Sequence, residues 1–285
     1  MKSSVVLILI IAIIALIISI VAINNSQTSS LGENTLSRVL KTRVIEACTV
    51  INPPTTIKDA QTGALSGHMV DAMDLVAKKL NAKVSWHEST WGNASADLQS
   101  KRCDVIVAPF FANIERAQAV AFTKPPLLYM GHSALVRKND ARFINVKNVF
   151  DFDQSNIKVV VATGEVGDIF VTENFSKAQI TKIDTEASDL TRFALEVSAG
   201  RADVAIAGSD TTAIFAAAHP EITDLFKNNP FGLAPVGWAT RQDDLQWKDF
   251  LETSLQFLDT QGTLLKLEKQ YDANWLHLIK DYQFK

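Results

Sequence analysis

Asp104-Val105-Ile106-Val107-Ala108 is a continuous, mostly apolar run behind a single acid, with the length and valine-rich character of a strand buried on both faces of a parallel sheet. Working outward from it, Ala94 to Lys101 reads as a short helix and Lys83 to His87 as a second strand. From His68 to Leu80, Met69, Ala72, Met73, Val76 and Leu80 recur at helical spacing. Arg43 to Val50 is a third strand-like run, which must stop at Asn52-Pro53-Pro54 because proline cannot donate to a ladder. The order is strand, helix, strand, helix, strand.

The same order repeats beyond Arg137. Val159 to Ala162, Ile180 to Ile183 and Asp203 to Ala207 read as strands, with Val166 to Phe175 and Asp189 to Ala199 as the helices between them. Such alternation predicts an α/β protein with two parallel sheets flanked by helices. Gln246 to Thr260 and Leu264 to Tyr271 are amphipathic helices separated by Gly262, with no strand left for a third sheet. At 285 residues the chain exceeds the usual size of a single core, which also points to two lobes.

With 47% hydrophobic and 21% charged residues the chain is globular in composition. Its formal net charge of -3 and scattered Lys and Arg argue against nucleic acid as a partner. Val5 to Ile23 carries no charge and is long enough to span a bilayer as a helix. It exceeds the apolar region of a secretory signal, and Ile20-Val21-Ala22 is only a passable cleavage site, so an uncleaved anchor is expected over a cleaved signal. Lys2 before the run and polar residues after it put the remainder of the chain outside the cytoplasmic membrane.

The cysteines, Cys48 and Cys103, lie in separate strand-like runs without the close pairings of zinc or redox sites. They can form one disulfide if those strands are neighbours; buried free thiols are the simpler expectation. No metal or cofactor is expected. No Ser-His-Asp or Cys-His set or phosphate-binding glycine loop is present, and the five histidines are dispersed.

Several stretches, in order, resemble the extracellular solute-binding proteins of family 3. Gly63-Ala64-Leu65-Ser66-Gly67 with Val70-Asp71 is similar to the entry into that family's first helix. Lys101 to Ile106, Glu115-Arg116, and Phe122-Thr123-Lys124-Pro125 follow its first-lobe motifs. In the second half, Gly200-Arg201-Ala202-Asp203-Val204 and Gln261-Gly262-Thr263 with Leu267 and Tyr271 continue the match. The resemblance implies the type II periplasmic binding fold. Residues 31–131 and 233–285 would form lobe 1 and residues 132–232 lobe 2, after a signal-anchor segment and linker at 1–30. Crossovers would lie near Leu128 to His132 and Pro230 to Pro235. It further implies a monomer that captures a small carboxylate ligand between the lobes and delivers it to the membrane permease of an ABC transporter.

By that resemblance Arg116 holds the ligand carboxylate, which suits its planar, bidentate fork. Trp91, Pro109, Phe110 and Phe111 fall where the family builds its lobe-1 cleft wall, and Asn113, just before Arg116 in its motif, is a further ligand-binding candidate. Ala108, Pro109 and Phe111 replace residues that often carry hydroxyls there, so an apolar or aromatic ligand body is expected. The family's acid for an amino group would stand at position 208, which is glycine here. Asp210 can substitute or can cap a helix starting at Thr211. Glu165 occupies the place of a hydroxyl donor in the family's carboxylate-binding turn, and Asp168 opens the next helix, where the helix dipole alone can explain it.

Asn113-Ile114-Glu115-Arg116 and Thr90-Trp91 with Asn93 also resemble the cyclohexadienyl dehydratase group on the same fold. That alternative would need Asp168 or Glu165 as a general acid with a raised pKa. Binding without chemistry is the leading expectation, because Asp168 is one methylene shorter than the glutamate the enzyme group carries at that place.

Overall fold

The computed structural model describes residues 34–184 and 192–271. The apolar segment at 5–23 lies outside them, and among the described residues no helix is long and apolar enough to cross a membrane. The first half contains β1 (Val44–Thr49), a small hairpin of β2 (Ile57–Lys58) and β3 (Leu65–Ser66), β4 (Lys83–Glu88), β5 (Val105–Phe111) and β6 (Val120–Phe122). Then come β7 (Leu128–Arg137), β8 (Lys158–Ala162), β9 (Gln179–Ile183), β10 (Val204–Gly208), β11 (Ile222–Asp224) and β12 (Phe231–Arg241). The main path of the sheet runs β4-β1-β5-β12-β7-β10-β8-β9.

The pairings β4–β1–β5 and β10–β8–β9 are parallel, whereas β12 and β7 join them antiparallel. The two lobes of the mixed α/β fold are built on these two parallel sets. β7 and β12 are the long strands between them. β7 pairs with β12 from Leu128 to His132 and with β10 from His132 to Val136, so one strand serves both halves. At the crossing, Gly131 is packed so closely that a Cβ would lie 2.8 Å from Phe231 O.

Each half buries its sheet on both faces, and period-two alternation assigns the side chains. Val105 and Val107 pack against the helix His68–Lys79 and the C-terminal helices, while Ile106, Ala108 and Phe110 face the helix Ala94–Gln99. In the second half Val159, Val161, Val204 and Ile206 fill one core, and Val160, Ala162, Ala205 and Ala207 the other. Leu251 and Leu255 of the helix Leu245–Thr260 and Leu264 of the helix Thr263–Gln270 join the first-half core. The end of the chain therefore packs with its beginning, also through the helix Thr35–Thr42, where Thr35 donates to Asp244.

Two expectations change. The segment anticipated as one helix from Asp189 to Ala199 is a 3₁₀ turn at Arg192–Ala194 followed by Leu195–Ser198, its start lying outside the described residues. The cysteines are not free. Because β1 and β5 are adjacent, with Cys48 opposite Ile106, the Cα atoms of Cys48 and Cys103 are 5.6 Å apart and the pair forms a disulfide.

Candidate ligand-binding site

A narrow cavity of about 10 Å3, closed down to roughly the space of one water molecule, lies between the halves, lined by Trp91, Pro109, Phe111 and Arg116 on one side and by Glu165, Val166, Asp210 and Thr211 on the other. It lies beyond the carboxyl ends of β5, β8 and β10, where open α/β sheets place ligands.

Arg116 is carried by the short helix Ile114–Ala117, whose N-cap Asn113 accepts a hydrogen bond from the Arg116 N–H at 2.9 Å. Asn113 therefore fixes the helical turn that aims the arginine. The guanidinium lies 4.0 Å above the Phe110 ring, and Arg116 is only 7% exposed. Its donors reach Phe111 O at 3.4 Å and, from the opposite half, Gly164 O at 3.1 Å. No carboxylate of the described residues forms a salt bridge with it. Burial pushes its pKa down to about 10, against the partial support of Glu165 and Glu115. The cation is thus held directly by carbonyls and a ring face, with carboxylates in the same cavity but none in salt-bridge contact with it among the described residues.

Phe110 is wholly buried, stacked between Trp91 and Phe122. It forms the floor beneath Arg116 and does not line the cavity. Trp91, Pro109 and Phe111 do line it, giving the apolar wall.

Glu165 ends the turn after β8 and caps the helix Val166–Asn174. Its Oε2 accepts from Gly167 N–H at 2.6 Å and its Oε1 from Gly208 N–H at 2.8 Å. Burial nevertheless pushes its pKa up to about 7, helped by the negative charge of Asp210. Asp210 does not cap a helix from Thr211. The helix starts at Ser209, with Gly208 as N-cap, and Asp210 sits in its first turn, where burial raises its pKa. Its Oδ2 accepts from Asn52 Nδ2 at 2.8 Å, across the cavity.

Asp168 is directed elsewhere. Its oxygens accept from Gly164 N–H at 2.9 Å and the Thr172 hydroxyl at 3.1 Å, and pair with Lys182 at 2.7 Å. A carboxylate at the start of a helix one residue past a tight turn is well placed to tie that turn down, and Asp168 is absent from the cavity wall.

Residues 45–274 match the sequence profile of the bacterial extracellular solute-binding proteins, family 3. The chain belongs to that family. Other relatives fit the assignment. A probable histidine-binding protein of Campylobacter jejuni is 26% identical over 266 residues, covering 93% of this chain and 94% of its own. A cyclohexadienyl dehydratase of Pseudomonas aeruginosa is 23% identical over 244 residues, covering 86% and 87%. Among solved structures, an ancestral amino acid-binding protein, a precursor of cyclohexadienyl dehydratase, superposes with a TM-score of 0.73 at 25% identity, covering 84% of this chain and 99% of that one.

Within this family 3 member, sequence reasoning passed over Asn52, Val166, Thr211 and His132. Asn52 follows β1 directly before two prolines, so its place at a strand's carboxyl end was a usable signal. His132 was not separable from a core histidine. Its ring stacks on Phe231 and approaches Phe231 O and Val166 O, each at 3.2 Å, next to the cavity.

Proposed function

We propose that the protein captures a small carboxylate-bearing molecule, an amino acid or a close relative with an apolar or aromatic body, between its two lobes. Delivery to the permease of an ABC transporter follows from the family and from relatives whose names describe amino-acid binding. One observation carries this reading: the buried Arg116 guanidinium has carbonyl acceptors but no carboxylate partner among the described residues. A ligand carboxylate supplies the missing charge through two parallel hydrogen bonds. Its arrival replaces the Gly164 contact with a ligand that touches both lobes, so binding favours the closed arrangement.

Chemistry in the dehydratase manner has less support. Asp168, at the place where the enzyme group carries its acid, is committed to Gly164, Thr172 and Lys182 and stays out of the cavity wall. The apolar segment Val5 to Ile23 would hold the protein at the outer face of the cytoplasmic membrane, as a monomer. Retention in the membrane pellet after an alkaline wash tests that anchor.

The test of the binding role is a thermal-shift screen of small acids, prephenate and arogenate included, on the wild type and on Arg116→Ala. Ligand at about 100 times its Kd adds roughly 2.7 kcal/mol of stability. Arg116→Ala is expected to cost at least about 2 kcal/mol of affinity. Equal affinity in the variant removes Arg116 from the site, and turnover of prephenate or arogenate to an aromatic product restores the enzyme reading.

A further inference from the structure

Gly208 stands where the family resemblance calls for an acid. The space its side chain would occupy is not vacant: a Cβ built there would lie 2.7 Å from Asp210 Oδ1 and 3.3 Å from Glu165 Oε1. Two carboxylates from neighbouring elements thus converge on the position of one absent side chain. Glu165 arrives from the turn after β8, held by the N–H groups of Gly167 and Gly208. Asp210 arrives from the first turn of the helix Ser209–Ala218, held from the opposite lobe by Asn52. Both are buried, at 6% and 4% exposure, and both line the cavity that contains Arg116. The site therefore holds two carboxylates and one guanidinium.

We infer, on the reading that a ligand carboxylate sits on Arg116, that Glu165 and Asp210 together form the subsite for the ligand's cationic nitrogen and lose a proton when that nitrogen arrives. Two buried carboxylates that converge on one position face a single counter-charge, Arg116, which balances only one of them, so on this inference the empty pair holds one proton between its members. Burial raises both carboxyls, Glu165 to about 7. The other groups facing the pair are Arg116 from lobe 1, neutral Asn52 and Thr211, and His132 on β7, whose pKa burial lowers.

The sign of the linkage depends on the ligand. An ammonium beside the pair drives its proton off, so affinity for an amino acid rises with pH. A carboxylic acid without that nitrogen neutralises Arg116 and adds no cation, which holds the proton on, so its affinity falls as pH rises.

The experiment is calorimetric titration of the full chain with each protein amino acid and with its des-amino counterpart, for example L-phenylalanine and 3-phenylpropanoate, between about pH 5.5 and 8.5. The expected result is an amino acid whose Kd tightens with pH, by up to about tenfold per unit below the pair's upper pKa, with net proton release seen in buffers of different ionisation enthalpy. Its des-amino counterpart is expected to bind more weakly with the opposite slope. Glu165→Gln and Asp210→Asn, each checked for folding by its thermal melt, are expected to flatten the amino-acid profile. A flat profile in the wild type, or an undiminished slope in both variants, overturns the proposal. Preference for the des-amino acids overturns it while leaving the Arg116 reading intact, and failure of both ligand series removes both.

Discussion

The side-chain amide of Asn52, just past β1, donates at 2.8 Å to the carboxylate of Asp210 in the first turn of the helix Ser209–Ala218. The bond spans the cleft, and both partners are buried, at 2% and 4% exposure. A hydrogen bond that exists only when the lobes meet stabilises the closed arrangement and is silent in the open one. Asn52→Ala is therefore expected to weaken ligand binding by roughly tenfold, about 1.4 kcal/mol, while the ligand-free melting temperature changes little. Calorimetric Kd together with the small-angle scattering radius at saturating ligand measures both effects. An unchanged Kd shows that Asn52 does not act as a latch.

Gly164 offers a second test of closure. Its φ is +73°, and a Cβ there would lie 2.6 Å from Gly92 Cα on the opposite lobe, too close for any rotamer to relieve. Gly164→Ala should thus prop the cleft open and reduce affinity by more than about tenfold. Left-handed backbone alone costs an alanine about 1 kcal/mol, which must be separated from the clash. Gly200→Ala supplies that control, since Gly200 has φ +72° with nothing within 4 Å. Equal affinity losses in the two variants mean that strain, and not contact between the lobes, is responsible.

The strands and helices that reveal themselves by local pattern were legible in the sequence, and the elements that depend on distant partners were not. Val105 to Ala108 and Val204 to Ala207 announce themselves because a strand covered on both faces is apolar at every position. β12 and β7 do not. Gly232, Pro235 and Gly237 interrupt β12, and Gly131 and His132 interrupt β7, because these strands pass between two cores and make close approaches at the crossing. At the site, Arg116 was readable from its motif, but the convergence of Glu165 and Asp210 above Gly208 was not, since it needs the register of β8 beside β10. The cysteine pairing needed the same knowledge of strand order.

The pH dependence of folding follows from the raised carboxyl of Glu165. An acid whose pKa is about 7 when folded and 4.5 when unfolded binds more protons in the folded state across that window. Its contribution is fully present below about pH 4.5 and is lost as pH rises to 7. The loss is on the order of 3 kcal/mol at most. His68, held down to about 4 by burial, acts in the opposite sense across much of the same window, because the folded state binds fewer protons there than the unfolded one. The Glu165 contribution is therefore read as a difference: from pH 5 to pH 7.5 the wild type should lose more urea resistance, or gain less, than Glu165→Gln. Asp140, lowered to about 2 chiefly by its bonds to Arg142, acts in the opposite sense only as pH falls below its unfolded value of 3.8, outside the window. An identical pH response in the variant assigns the effect to other groups.

The Cys48–Cys103 disulfide closes a separation of 55 residues and ties the centre of the lobe-1 sheet to the loop that enters β5. Both residues are fully buried among Leu98, Ile106 and Phe110, so the bond is shielded from reductant until the lobe opens. Chain-entropy reasoning puts its contribution at about 4 kcal/mol, drawn mainly from the unfolded chain. The double substitution Cys48→Ala with Cys103→Ala should lower the melting temperature by roughly 10 °C in a chain of this size. Dithiothreitol should shift the wild type towards the same value only after prolonged incubation or partial denaturation. The Kd for ligand should stay within about twofold in the folded double variant, because neither cysteine lines the cavity. A melting temperature that neither the reductant nor the double substitution moves shows that the bond does not form in solution, and a cleft weakened in proportion to stability shows that the lobe-1 sheet is held in binding geometry by it.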